Sequence, residues 1–344
     1  MEGDVLVARM PEPLGRACIF PTLDKVCVTV VDVCIIRPDS KIANNAYIKF
    51  LINSPDFRNK INRFASGTTR QRISRKNLDK ISFSLPDYET QLHIANLLSK
   101  AESLISQRKE SIRLLDEYLK SVFLEMFGDP VRNEKGWEKL SGEQYFSKLT
   151  VGVVIKPASH YVDKGVIALR SLNIRPNKII LDDLVYFSEE ANQKILSKSI
   201  LRTGDVVFVR TGMTGTAAII PNALDGCNCI DLIVTRPKEE VINPQYLVFF
   251  FNSDLGKRIV ASKEVGGIQK HFNIGEIRKL EIPIPPLELQ TKFAQIVEKT
   301  EALKTQYQQS LQELENLYGS LSQRAFRGEL ELGGVERLEE EKDH

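Results

Sequence analysis

Residues 88–127 read YETQLHIANLLSKAESLISQRKESIRLLDEYLKSVFLEMF. Within them Ile94, Leu98, Ala101, Ile105, Arg108, Ile112, Leu115, Leu119, Val122 and Met126 recur at alternating steps of four and three. That spacing is a heptad seam, and only Arg108 interrupts its apolar run. From Glu288 to Phe326 the same phase returns 199 positions later (94 to 293), through Phe293, Val297, Thr300, Lys304, Tyr307, Leu311, Leu314, Tyr318, Leu321 and Ala325. A stripe this narrow on a solitary helix would stay wet, so two stripes of nearly equal length predict an antiparallel coiled coil. At about 1.5 Å per residue each helix would be roughly 60 Å long, which suits a spacer better than a catalytic pocket.

Outside the helices the chain reads as β-rich. Val5 to Ala8, Val26 to Ile36 and Ile81 to Leu85 have strand character, and Tyr47 to Ile61 has helical spacing. A polar loop of Ser66, Gly67, Thr68, Thr69, Arg70, Gln71 and Arg72 follows that helical stretch. Gly128, Asp129 and Pro130 stop the first long helix. From Trp137 a second globular region begins, with strand candidates at Gly165–Leu169, Lys178–Ile180, Asp205–Arg210, Cys229–Thr235 and Leu280–Ile284. The expected organisation is a partial first globular domain over 1–86, a helix over 87–130, a second globular domain over 137–286, a second helix over 287–328 and an acidic tail over 329–344. The fold class is α+β.

An internal repeat ties these parts together. Gly3, Asp4, Val5 and Arg9 align with Gly204, Asp205, Val206 and Arg210, and Gly15, Ala17, Ile19 and Pro21 with Gly215, Ala217, Ile219 and Pro221. Asp32, Arg37 and Pro38 then meet Asp231, Arg236 and Pro237; Tyr47, Asn53 and Ser54 meet Tyr246, Asn252 and Ser253. Gly67, Pro86, Glu89 and Gln91 meet Gly266, Pro285, Glu288 and Gln290. The chain is a tandem of one unit, a β-rich domain followed by a long helix. The second copy has 67 residues, 137 to 203, that the first lacks. Pseudo-two-fold symmetry of this kind suits a reader of bipartite targets, as in dimeric DNA-binding proteins.

Four stretches carry a specific resemblance: Ile200 to Gly212 (ILRTGDVVFVRTG), the helix entry Pro283 to Gln290 (PIPPLELQ), and the helix endings Met126 to Pro130 (MFGDP) and Ala325 to Leu330 (AFRGEL). Together, and in their order along the chain, they resemble the specificity subunit of type I restriction-modification systems, over Gly3 to about Leu330. The resemblance implies two target-recognition domains that each read half of a split double-stranded DNA site, with the helices setting the gap. It implies docking to methyltransferase subunits and, through them, to the restriction motor subunit. S-adenosylmethionine would belong to the methyltransferase, leaving this chain with no cofactor and no catalytic residue. The first recognition domain is expected to be N-terminally truncated.

Candidate DNA contacts follow from charge and loop position. Between Ser54 and Lys80 eight basic residues stand against Asp56 and Asp79. Thr69, Arg70, Gln71, Arg72, Arg75 and Lys76 combine cations for phosphate with groups that match guanine and adenine edges. The matching window of the second copy is less basic, but Gln269, Lys270 and His271 follow Gly266-Gly267. Arg9 and Arg210 end equivalent strands, Thr211 and Thr214 flank Gly212, and Arg170 follows another strand; Lys156 and His160 are weaker candidates. Against each stands the plainer reading of a solvated basic face or a surface turn.

A net charge of +2 over 344 residues does not by itself indicate nucleic acid. The five cysteines (18, 27, 34, 227 and 229) form no CxxC and read as buried thiols in a reducing compartment. No run approaches the length of a membrane span and no signal-peptide pattern opens the sequence, so a cytoplasmic protein without membrane partners is expected. Gly212-Met213-Thr214-Gly215 lacks the dinucleotide and Walker patterns, and no Asn-Pro-Pro-aromatic stretch for holding a flipped base is present. An alternative to DNA recognition is a coiled-coil adaptor that binds only protein.

Overall fold

The computed structural model describes residues 1–11, 14–67, 70–262 and 272–330. Its contacts separate two units, Met1–Arg113 with residues from Thr305 onward, and Leu114–Lys304. The expected α+β class holds, with two β-rich regions alternating with two long helices.

The first unit contains β1 (Val5–Ala8), β2 (Ala17–Ile19), β3 (Val33–Ile36), α1 (Asn45–Asn53), α2 (Pro55–Phe64), α3 (Arg75–Leu78) and the first part of α4 (Tyr88–Phe127). Its sheet is antiparallel, in the order β2-β1-β3. Val5 and Val7 alternate with half-exposed neighbours and are fully buried in one core with Tyr47, Phe50 and Leu51 of α1, the two-residue period that one covered sheet face requires. The single helix expected over Tyr47–Ile61 is two, because Ser54 ends α1 and caps α2, whose first residue is Pro55.

The second unit, after the end of α4, runs β4 (Glu138–Leu140), α5 (Gly142–Tyr145), β5 (Phe146–Val151), β6 (Tyr161–Val162), β7 (Val166–Leu169), β8 (Ile174–Arg175), β9 (Lys178–Ile179), β10 (Val185–Phe187) and α6 (Glu189–Lys194). Then follow β11 (Val206–Val209), β12 (Ala217–Ile219), β13 (Asn228–Cys229), β14 (Leu232–Pro237), α7 (Pro244–Asn252), α8 (Asp254–Ser262), α9 (Ile274–Lys279), β15 (Ile282–Ile284) and α10 (Leu287–Arg327). Two four-stranded sheets, β12-β11-β14-β5 and β13-β7-β10-β6, and the pairs β15-β4 and β8-β9 make up its β structure.

Two strand expectations are corrected in the first unit and one in the second. The stretch expected over Val26–Ile36 is a strand only from Val33, and Ile81–Leu85 is not a strand. The second copy supplies the reason. Its equivalent of Ile81–Leu85, β15, is held by β4, which belongs to the segment that the first copy lacks. Cys229–Thr235 is interrupted where Asp231 takes a left-handed backbone (φ 51°) between β13 and β14.

Both long helices follow the heptad reading. In the first unit Ile94, Ala95 and Leu98 of α4 share a core with Ala325, Leu321 and Tyr318 of α10. In the second unit Leu119 and Phe123 of α4 meet Phe293 and Val297 of α10. Early residues of one helix therefore meet late residues of the other, which is antiparallel pairing. The charged seam positions are accounted for. Arg108 lies over the Tyr307 ring at 4.4 Å, and Lys304 pairs with Asp116 at 2.5 Å.

Residues matched between the copies turn out to be framework. Arg37 clamps Asp4 with two bonds of 2.7 Å, and Arg236 clamps Asp205 with bonds of 2.7 and 3.0 Å. The Asn53 amide accepts from and donates to the Ala17 backbone at 3.0 and 2.8 Å; Asn252 does the same to Ala217 at 3.0 and 2.9 Å. Gly15 and Gly215 both have left-handed backbone, and a Cβ on either would lie 2.6 Å from Ile61 or 2.7 Å from Val260.

Gln91 and Gln290 staple each helix start to its domain. Gln290 is fully buried, accepts from Asn243 N at 2.8 Å and donates to the Pro285 and Val241 carbonyls at 2.7 and 3.2 Å. Gln290→Leu would leave those backbone groups unsatisfied. It is expected to destabilise the second unit by about 1–3 kcal/mol, as measured by urea unfolding.

In the first unit the Arg37 hydrogen bonds, and after them the Met1 amine, hold the Asp4 carboxyl well below the usual carboxylate range. A depressed carboxylate contributes stability that is complete above its unfolded pKa of about 4 and is lost as pH falls through the folded value. Acid unfolding of this unit is accordingly expected to steepen below about pH 4, and Asp4→Asn to flatten that limb.

Candidate nucleic-acid interface

Three turns of the second unit converge at one end of its strands. Val153 N donates to Cys229 O at 2.8 Å, Asp231 N to Val153 O at 3.2 Å and Ile230 N to Leu169 O at 2.8 Å. The residues after β5 and β7, and those between β13 and β14, are thereby locked together. Gly152 permits this approach, since a Cβ there would stand 2.6 Å from the Cys229 carbonyl.

Arg210 and Arg170 emerge at this rim. Arg210 Nη1 pairs with Asp231 Oδ1 at 2.5 Å, and its carbonyl accepts from Phe272 N at 3.1 Å. Arg170 donates to the Asp183 carbonyl and pairs with its carboxylate at 3.0 Å. Each of these arginines keeps a buried Nε with no hydrogen-bond partner among the described residues, so its donors are only partly used. Thr211 and Thr214 are half-exposed around Gly212. Gly212 has φ 87° and open space where a Cβ would be, so backbone conformation rather than crowding requires glycine at this projecting tip. Val154, Ile155 and Lys156 are exposed on the neighbouring turn, while His160 packs edge-on against Phe187.

The first unit builds the same corner differently. Arg9, the counterpart of Arg210, is only 9% exposed. Its Nε donates to the Ile73 carbonyl at 3.0 Å and Nη1 to the Val31 carbonyl at 2.9 Å, so it braces the corner from inside. Arg72 takes the outer place, 3.4 Å from Asp32, the counterpart of Asp231. Ser66 and Arg72 exchange backbone bonds of 2.9 and 2.8 Å and close the polar loop. Arg70, Gln71, Arg75 and Lys76 are exposed, and no side-chain bond ties them to another described residue. Thr69, Gln269, Lys270 and His271 lie outside the described residues.

Sequence reasoning did not single out Asp32, Asp183 and Asp231 as holders of guanidinium groups. For Asp32 and Asp231 the signal was present, because they match in the repeat. Asp183 carried none.

Residues 2–114 and 169–316 match the family described as type I restriction modification DNA specificity domain. The chain belongs to this family. The EcoKI specificity subunit of Escherichia coli K12 is 23% identical over 321 residues, which are 86% of this chain and 68% of that subunit. The MjaVIII specificity subunit of Methanocaldococcus jannaschii is 23% identical over 244 residues, 67% of this chain and 57% of that subunit. Among solved structures, the S subunit from M. genitalium has a TM-score of 0.56 at 15% identity, covering 95% of this chain and 83% of that one. A structure concerned with assembly and conformational transition of the type I R-M system has a TM-score of 0.58 at 20% identity, covering 96% and 83%. These two likenesses establish the fold. Within this specificity-domain chain, the stretch between the two matched segments holds the end of α4 and β4 to β6. The turn carrying Val154, Ile155 and Lys156 lies in it.

Proposed function

We propose that this chain is the DNA-specificity subunit of a type I restriction-modification complex, reading a bipartite double-stranded site without catalysing a reaction itself. The observation that carries the reading is the recurrence of one arginine-bearing corner in both units, Arg210–Asp231 with Arg170 in the second and Arg72–Asp32 with Arg9 beneath it in the first. In this reading Arg72, Arg170 and Arg210 face base edges, Thr211 and Thr214 position the tip of their turn, and Arg70, Gln71, Arg75 and Lys76 add phosphate and edge contacts. Thr69, Gln269, Lys270 and His271 belong to the same two loops by sequence.

Methyltransferase subunits, which carry S-adenosylmethionine, would dock on the helix pair and recruit the restriction motor subunit. Two apolar spots off the seam support this. Leu104 and Leu317 are exposed in the first unit and Tyr118 and Leu303 in the second, and the repeat relates Leu104 to Leu303 and Tyr118 to Leu317.

The test is to map methylated adenines in DNA from cells expressing this chain with a methyltransferase partner. A split recognition sequence supports the reading; methylation without sequence preference, or none with both subunits present, overturns it. Arg210→Ala is expected to cost about 1–3 kcal/mol at one base position while sparing the others, measured by competition binding. A protein-only adaptor would show no change for this variant, and family membership already weighs against it.

A further inference from the structure

The two units differ most in what covers the outer face of the repeated sheet. In the second unit Val207, Val209 and Ala218 point outward from β11 and β12, and Leu232 and Val234 from β14. All are buried in a core completed by Leu169, Ile174 and Leu201, and β5 lies antiparallel along β14, with Val234 opposite Thr150. β13 is paired in parallel with β7.

The covering pieces all come from residues 146–201. The first unit presents the same face bare. Leu6, Phe20, Val28, Val30, Val33 and Ile35 line an open groove of about 610 Å³. Val28 and Val30 are 93% and 71% exposed, whereas their counterparts Cys227 and Cys229 are 5% and 0% exposed. Ile35 is 46% exposed where Val234 is fully buried. Cys18, opposite Leu6 in the sheet, is exposed where Ala218 is buried. The expectation of five buried thiols is corrected for the same reason, since only Cys227 and Cys229 are buried. β3 pairs with β1 alone, which leaves its outer edge open among the described residues.

A continuous apolar face beside an unpaired strand edge is costly to leave in water and templates strand addition. We propose that this face of the first unit binds a segment built like residues 146–201 of this chain but lying outside these 344 residues. One strand of the segment would add antiparallel to Val33–Ile36, as β5 adds to β14, and a second would add parallel to residues 29–30, as β7 adds to β13. Its inward side would be aliphatic, with residues in the roles of Leu169, Ile174 and Leu201. The occupant comes from outside these 344 residues, because residues 146–201 are already engaged in the second unit and no other stretch of the chain repeats them. The site belongs to the fold of the first unit, and its test is read without DNA.

The 344-residue chain, tagged, is produced together with an untagged probe, residues 137–203 of this chain as a separate polypeptide. Retention of the probe at one to one is expected. Alkylation of Cys18 and Cys27, followed by peptide mass mapping, is expected to slow at least tenfold relative to the chain alone, with Cys227 and Cys229 as buried references. Ile35→Asp, and independently Val30→Asp in an exposed stretch outside the strands, are expected to release the probe and restore labelling. Failure to retain the probe overturns the proposal, as does equal retention by both variants. Protection of Cys18 that rises with the concentration of the chain alone, alongside a dimer in sedimentation, would assign the face to a second copy and also overturn it.

Discussion

Replacing Arg70, Arg75 and Lys76 together by alanine is expected to flatten the salt dependence of DNA binding by a slope of about 2 to 3, without altering which sequence is preferred. Each cation that neutralises a phosphate releases counterions worth a slope of about 0.9 in log affinity against log salt, so three lost contacts give that range. The three side chains are exposed and none is tied to another described residue, so their removal leaves no buried group unsatisfied. Arg72 differs because it pairs with Asp32, and its replacement is expected to alter selectivity at one position as Arg210→Ala does. Binding isotherms at several salt concentrations, with the methyltransferase partner present, measure the slope. If the triple variant changed sequence preference and kept the wild-type slope, the division into phosphate and base contacts would be wrong.

The second large effect is on stability. Phe123→Ala is expected to cost the second unit about 3–5 kcal/mol, the usual range for emptying a fully packed aromatic site. Phe123 sits among Phe127, Tyr246, Phe249 and Phe293, with ring centroids 5.0, 5.8, 5.2 and 5.4 Å away. It joins the end of α4, the start of α10 and α7 in one cluster, and Ala would leave a cavity facing four rings. The only tryptophan, Trp137, reports on this region because its Nε1 donates to the Phe127 carbonyl at 2.9 Å. Tryptophan fluorescence in urea is therefore the measurement. The counterpart of Phe123 in the first unit is Ser322, itself buried, so Ser322→Ala is expected to cost far less. Equal losses for the two variants would contradict the aromatic cluster as the anchor.

Of the two recurring arginines that invited a functional reading, Arg9 is held inside the fold. Arg9 and Arg210 occupy the same strand end, yet the first is consumed by two carbonyls and the second stands at the rim against one carboxylate. The difference lies in what surrounds the strand end: Ile73 and Val31 offer their carbonyls to Arg9 from positions far away in sequence. Repetition marks Asp4–Arg37, Asn53–Ala17 and Gln91, which hold one fold twice. The exposed basic loop with Arg70 to Lys76 has only a weaker counterpart in the second copy, and such divergence suits two readers of different half-sites.

The sequence by itself determined the tandem of two units, the two long helices and their seam, because heptad period and repeated framework residues are written in local spacing. It also located the turns that carry Arg170 and Arg210. Only the tertiary structure decided which strands form and which faces are wet. Ile81–Leu85 and residues 26–31 have the composition of strands, but a strand exists only when a partner satisfies its backbone, and their partners' counterparts lie in residues 137–201, which have no equivalent in the first copy. For the same reason Cys18 and Cys27 lie open to water while Cys227 and Cys229 do not. Burial is a property of the segment laid over a residue, and that segment can be many residues away or on another chain.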